Sequence, residues 1–474
     1  MRASHPRSVN VPYSAPSYEH FLVTPSYKQQ NQEPPMPSIP RRISLRRTAG
    51  AAATAAALAT VLTAPPALAA APQPPAQRTQ HVEYFTGPDG HPRHTTVPAS
   101  PAPPAALRPS VRGDGDVLPI VRNGPVQDKL DVVFIGDGYT ADQQGDFHAA
   151  VRAKWAKMSA VEPYASYRGL FNVWAVDAVS RDSGVSGDPG KDVVKDTALR
   201  SAFFCDGIER LLCVDTGRVE AYAAKAPAAD LVVVLSHSAK YGGAGYNDVV
   251  SKVGYEGIAT ASSDDPRSDQ IAVHETGHSL GKLADEYQYD DYGTYTGGEP
   301  GAANISTLTA EDMRNRRSKW YRWIGRTSPD GGTVGTYEGG GYYPKGLFRP
   351  TKNSIMRTLG REFNLPGSEA MIAGFHRHAS VLTSDLGPAT RLGRNDRVTV
   401  RTSAATVTVR WYVDGREVRD ARGRASVTPR SLGVPADGRG HRVTAQAADT
   451  TEAVRDPQVR KLLRGSLSWE TAMR

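Results

Sequence analysis

The segment His274-Glu275-Thr276-Gly277-His278 sets two histidines four residues apart, with a glutamate directly after the first. On a helix, residues i and i+4 share one face, so both imidazoles can turn to a single metal ion while Glu275 projects alongside. Neutral imidazole is a zinc donor, and a carboxylate beside zinc is placed to act as a general base. The same pentapeptide also arises as a mere pair of surface histidines, so its surroundings must decide. Gly281 lies where the helix has to stop if the chain is to double back, and the acids Asp285 and Glu286 follow at once. On an unbroken helix Asp285 would lie about 16 Å along the axis from His274, beyond any coordination sphere. A bend at Gly281 is therefore expected, and the third ligand stays open between two adjacent carboxylates.

Several elements must position these residues. "DQIAV" leads into the histidine helix, with Ser268 as its N-cap. "LDVVFIGDGYTADQQGDFHAAVRAKW" (130–155) reads as a buried strand running into a helix, with Thr140 and Gln143 spaced as a capping box. Strands at 171–179 and 230–238 flank a helix at 218–226, an alternation that argues for an α/β layer. "YGGAGY" (241–246) follows the third strand. Its Gly242 and Gly243 would let an extended peptide approach a sheet edge, or they form a flexible turn; the two readings weigh equally. Ahead of this layer, 82–97 reads as a hairpin turning at Pro88-Asp89-Gly90, and 98–109 as a Pro-rich extended linker. Past residue 386 short alternating strands take over, with Asp414-Gly415 as a hairpin turn, and read as a small all-β, immunoglobulin-like sandwich. Arginines alternate along these strands and are read as a solvated face.

The 474 residues, 39% hydrophobic, allow two or three soluble domains and contain no solenoid period. Residues 41–72 carry four arginines, an Ala/Leu/Val run and Ala67-Leu68-Ala69, the order of a secretory signal peptide cut after Ala69 or Ala70. Arg41-Arg42 leaves Sec and twin-arginine export both open. An Ala-rich run without a stop-transfer flank is not expected to be a stable membrane anchor. Because Met36 opens a signal sequence of ordinary length, translation is expected to start there, with 1–35 an untranslated or disordered extension. The expected organisation is 36–70 signal, 71–127 short β segment and linker, 128–385 catalytic domain and 386–474 sandwich. Of the net charge of +8, residues 1–70 account for +5, with seven Lys/Arg against Glu19 and Glu33. The remaining +3 gives no reason to expect a nucleic-acid partner. Cys205 and Cys213, the only cysteines, are expected to pair in an exported chain, with two buried thiols the alternative.

"HETGHSLGKLADEY" resembles the zinc signature of the IgA-specific metallo-endopeptidase family, among the metzincin-like zinc peptidases. The likeness runs through residues 128–383 in "FIGDGYTADQ", "DSGVSG", "DTALRSAFF", "IERLL", "YGGAGY", "EGGGYYPKGLFRPTKNSIMR" and "FNLPGSEAMI". It implies an α/β zincin fold with a mixed sheet and an active-site helix, and one zinc ion held by His274, His278 and an acidic ligand, for which Asp285 is chosen over Glu286. The third histidine of the better-known metzincin motif would fall on Ala284, and carboxylate in its place is sound zinc chemistry. Met356 would form the methionine turn beneath the histidines, followed by a closing helix from Gly367 to Leu382. Where members of the family often carry cysteines near this turn, Ser354 and Asn364 stand, which puts its rigidity in question.

The resemblance further implies a secreted endopeptidase, a monomer, that hydrolyses peptide bonds of extracellular proteins through a zinc-bound water, with Glu275 as general base. Tyr342 and Tyr343 are candidates to stabilise the oxyanion; His376 and His378, on the closing helix, are expected to be structural or exposed. Two other readings compete: a non-catalytic protein on a zincin scaffold that binds a cell surface or glycan through its C-terminal domain, and a zinc amidase. An intact Glu275 counts against the first, because a scaffold has no need of a general base. No residue identifies an immunoglobulin hinge as substrate.

Overall fold

Leu130–Asp137 and Leu231–Ser236 bury every side chain, as strands do when both faces of a sheet are covered. In the computed structural model, which describes residues 79–87, 92–99 and 111–472, they are central to an eight-stranded sheet. Its strands are β1 (Thr79–Phe85), β2 (Pro92–Pro98), β3 (Val117–Val121), β4 (Leu130–Asp137), β5 (Phe171–Val176), β6 (Leu231–Ser236), β7 (Gly243–Val250) and β8 (Glu256–Ser262). The order is β2-β1-β7-β8-β6-β4-β5-β3. Strands β5, β4, β6 and β8 are parallel, while β7 runs antiparallel to β8, β1 to β7, β2 to β1 and β3 to β5.

Alternate residues of β4 feed two cores. Val132 and Phe134 join one with α1 (Gln144–Met158) and the histidine helix, whereas Val133 and Ile135 join another with Val219 and Tyr222 of α2 (Thr216–Ala223). Each side chain so buried contributes roughly 1.5–3 kcal/mol. The capping box before α1 forms, the Thr140 N–H donating to Gln143 Oε1 at 3.1 Å.

The histidine helix, α3 (Asp269–Ser279), packs against β7 and β8. Its entry differs from expectation: Asp265 caps a 3-10 turn, Pro266–Ser268, that leads into it. Ser268 is already helical, and its hydroxyl donates to the Gly242 carbonyl at 3.2 Å, tying helix to sheet. Beyond α3 come α4 (Ala310–Arg316), the hairpin of β9 (Tyr337–Gly340) and β10 (Tyr343–Arg349), and α5 (Leu365–His378). The closing helix thus ends at His378, not Leu382. Leu382–Ser384 instead pairs with Val398–Thr402 in a three-stranded sheet completed by Ser426–Val427.

A five-stranded sheet holds Arg391–Leu392, Arg464–Thr471, Arg442–Asp449, Val407–Val413 and Arg416–Glu417 in that order. Trp411 and Trp469 stack at 6.3 Å in the core shared with Val398 and Val443. Asp414 and Gly415 both have positive φ, 50° and 81°, as a two-residue primed turn requires. Val454 and Leu463 pack into the core beneath the large sheet, and the Tyr167 hydroxyl donates to Asp449 at 2.6 Å. Pro74–Arg474 accordingly forms one compact unit. The expected signal peptide, the extension before it, the 88–90 turn and most of the linker lie outside the described residues. No helix among the described residues is long and apolar enough to cross a membrane.

Candidate metal centre

The helical offset brings His274 Nε2 and His278 Nε2 to 3.2 Å of one another. Each ring is oriented through its other nitrogen, His274 Nδ1 lying 2.9 Å from the Ile355 carbonyl and His278 Nδ1 2.8 Å from the Leu283 carbonyl. A carbonyl can only accept, so Nδ1 carries the proton and the Nε2 lone pairs face inward. The expected bend exists, but Lys282, with φ 51°, takes the left-handed position. Gly281 serves close packing: a Cβ there would stand 2.7 Å from the Gly277 carbonyl oxygen and 2.8 Å from Met371 Sδ. The Leu283 N–H closes the turn on Gly277 O at 3.0 Å.

Asp285 then returns to the histidines, its Oδ1 lying 3.3 Å from His274 Nε2 and 3.4 Å from His278 Nε2. Its Oδ2 accepts from the Tyr342 hydroxyl at 2.8 Å. Glu286 turns the other way, accepting from Ser354 Oγ at 2.8 Å, Asn364 Nδ2 at 2.8 Å and Asn304 Nδ2 at 3.0 Å. Ser354 and Asn364 therefore restrain the turn through a shared buried carboxylate, which answers the question of its rigidity. Met356 lies beneath the histidine helix, where a Cβ on Gly277 would come within 2.5 Å of its sulfur.

A fourth donor arrives from β1. Glu83 Oε1 lies 3.2 Å from His274 Nε2 and Oε2 3.3 Å from His278 Nε2. The Tyr287 hydroxyl donates to Glu83 Oε1 at 3.0 Å and sits 2.6 Å from His94 Nε2 on β2. One ligand atom from each of Glu83, His274, His278 and Asp285 falls within 4.8 Å of the others. The exposures are 1% for Glu83, 0% for His274 and 2% for Asp285, while the His278 side chain is 11% exposed. Glu83 Oε2 and Asp285 Oδ1 have no hydrogen-bond partner among the described residues. Two buried carboxylates beside two lone-pair nitrogens are costly unless a cation joins them, and this two-nitrogen, two-oxygen set suits zinc. The cluster's field agrees. Burial alone would lower the His274 pKa, but Glu83 and Asp285 outweigh it and raise it to about 10. Burial alone would raise Asp285, yet His278, His274 and His94 hold its carboxyl well below the usual range. A field that favours a proton there favours a divalent cation too.

Glu275 is also buried, its two oxygens without a hydrogen-bond partner among the described residues. Burial, helped by the Glu83 charge, pushes its pKa up to about 8 against the pull of both imidazoles. Its carboxylate lies against Gly245 of β7, where a Cβ would come within 1.7 Å of Oε2. Gly245, not Gly242 or Gly243, is thus the glycine that faces the chemistry. A Cβ on Gly242 would stand 2.5 Å from the Phe203 ring, and one on Gly243 2.5 Å from the Thr260 carbonyl oxygen. Nor is this segment an open edge or a flexible turn: β7 pairs with β8 on one side and β1 on the other.

Tyr342, expected as an oxyanion donor, commits its hydroxyl to Asp285. Tyr343 turns instead to the rings of Tyr292 and Tyr295, at 5.5 and 5.1 Å. Cys205 and Cys213 form a disulfide. His376 is buried against Tyr167, and His378 lies 3.0 Å from Asp230 Oδ1. Sequence reasoning missed Glu83, His94 and Tyr287. The available signal was the alternation of "VEYF", which buries Val82 and Tyr84 on one face and leaves Glu83 and Phe85 on the other.

A mixed sheet, a helix bearing two inward imidazoles, a returning carboxylate and a buried glutamate beside them together define a metal-dependent hydrolase. The model of the IgA Peptidase M64 family matches residues 118–330 and 326–375, more than half of the chain. The chain belongs to this family and is a metallopeptidase. No curated protein matches it.

Proposed function

We propose that the chain is a secreted zinc endopeptidase acting on extracellular proteins, with His274, His278 and Asp285 as metal ligands and Glu275 as general base. The observation that carries this reading is the pair of imidazoles locked by backbone carbonyls with Asp285 returned to both, beside the buried Glu275 carboxylate. A bound zinc ion would supply the Lewis acidity that polarises the scissile carbonyl. Glu275 takes a proton from the attacking water and hands it to the leaving amine nitrogen, its carboxylate lying against Gly245 one residue along α3 from His274. Tyr342 steadies Asp285 through its other oxygen.

The metzincin-like character of the fold is part of the same proposal, supported by Met356 beneath Gly277 and by Ile355 as the acceptor for His274. So are the two C-terminal sheets as an immunoglobulin-like module, supported by their shared tryptophan core, with Leu382–Ser384 as its first strand. Export is supported by the Cys205–Cys213 disulfide, since such bonds persist in oxidising compartments.

The test is digestion of a peptide library by the zinc-loaded protein, with and without chelator. Cleavage is expected to vanish with chelator and in Glu275→Gln, which should keep its full zinc content. Hydrolysis that survives in Glu275→Gln overturns the assignment.

A further inference from the structure

The β1–β2 hairpin occupies two places that a working peptidase needs empty. The first is a strand seat. Glu83 pairs opposite Gly245 and Tyr84 opposite Ala244, so β1 lies antiparallel on the side of β7 away from β8. An extended peptide adding to this sheet beside α3 would use the same backbone groups of β7. The second is the metal's open position. With Glu83 within 3.3 Å of both imidazoles, four protein donors surround one point, and a four-coordinate zinc site with four protein ligands is closed. Phe85 adds an edge contact to the His274 ring at 5.4 Å, and His94, opposite Glu83 in the hairpin, lies 3.6 Å from Asp285. All of this leaves Glu275 2% exposed.

The hairpin is also built as a unit. Its strands pair with each other over seven residues, while β1 meets β7 at two. Val82 and Val97 bury their side chains in the core on the opposite face of the sheet, which keeps the docked arrangement as the resting one.

We propose that the paired strands β1 and β2 are a built-in latency element, in which Glu83 completes the coordination of the metal as a fourth protein ligand while β1 fills the seat of the peptide substrate. The described arrangement is then the resting form of the enzyme, and departure of the hairpin activates it. This rests on the peptidase reading.

The test uses the full chain with cobalt(II) in place of zinc, because cobalt reports its coordination by visible absorption. Acetohydroxamate serves as the probe of an open position. Wild type should show a four-ligand tetrahedral spectrum that acetohydroxamate does not shift. In Glu83→Ala the spectrum should change, and acetohydroxamate should bind at least about tenfold more tightly, since a tethered carboxylate competes at an effective concentration in the millimolar range or above. Hydrolysis of the peptide library should rise in parallel. Wild type that binds acetohydroxamate as tightly as the variant overturns the proposal. Should Glu83→Ala fail to fold, the wild-type titration alone decides, with Glu83→Gln as the shape-conserving variant. If the spectra and the acetohydroxamate affinities differ as expected but neither protein cuts any peptide, the Glu83 ligand stands and the peptidase reading fails.

Discussion

The chemistry at this centre depends on a few atoms for which the neighbouring backbone leaves room. Gly245 is the clearest case, because Glu275 Oε2 occupies the space a Cβ would need. Gly245→Ala should displace the Glu275 carboxylate, the proposed general base, while leaving His274, His278 and Asp285 in place. We expect hydrolysis to fall by about a hundredfold, the usual effect of a misplacement near 1 Å, with zinc content unchanged; assay and metal analysis on one sample check both. Tyr342 acts one step further out. Tyr342→Phe removes the donor to Asp285 Oδ2, and loss of such a partner weakens metal binding about 10–100-fold. Competition with a chromogenic chelator measures it, and an unchanged affinity would show that the hydroxyl does not orient the ligand.

At the scale of elements, the site is held by turns. The bend after α3 and the turn at Ile355-Met356 meet through the Glu286 N–H, which donates to the Met356 carbonyl at 2.7 Å, and through the Glu286 carboxylate held by Ser354, Asn364 and Asn304. Asn364 has a second duty as N-cap of α5, accepting from the Gly367 N–H at 2.9 Å. Asn364→Ala should cost about 1 kcal/mol for the cap and a further ~1–3 kcal/mol for the partner lost to a buried carboxylate. Urea unfolding of the two proteins at equal zinc checks this; a loss below the cap alone would mean that Glu286 has found another donor.

At the scale of the whole molecule, α5 links the large sheet to the C-terminal sheets, and its last turn carries a pH dependence. His376 is buried against Tyr167, and burial lowers its pKa from the ordinary 6.5. The unfolded chain therefore takes up a proton near pH 6.5 that the folded chain resists. Stability from this residue is full above that value and is lost as the pH falls below it. His376→Gln should flatten the acid side of the stability profile relative to wild type, as read from urea midpoints across the pH range. Identical slopes would place the acid sensitivity elsewhere.

How much of this was legible in the sequence follows from which contacts are local. The amino-acid order by itself determined that His274 and His278 share a face with Glu275 beside them, because helical periodicity acts within one turn. It also demanded a bend before a carboxylate could return, and the apolar runs at 132–135 and 231–235 announced strands covered on both faces. Only the tertiary structure turned Asp285 toward the imidazoles and Glu286 away, since adjacent side chains leave the backbone in different directions and the Glu286 partners Asn304, Ser354 and Asn364 come from other segments. It alone put the left-handed residue of the bend at Lys282, and it alone paired β7 on both sides. Glu83 lies furthest from any local signal. It meets Tyr287 across 204 residues of chain and reaches the imidazoles only because one antiparallel pairing sets its register, an event that no spacing within either segment encodes.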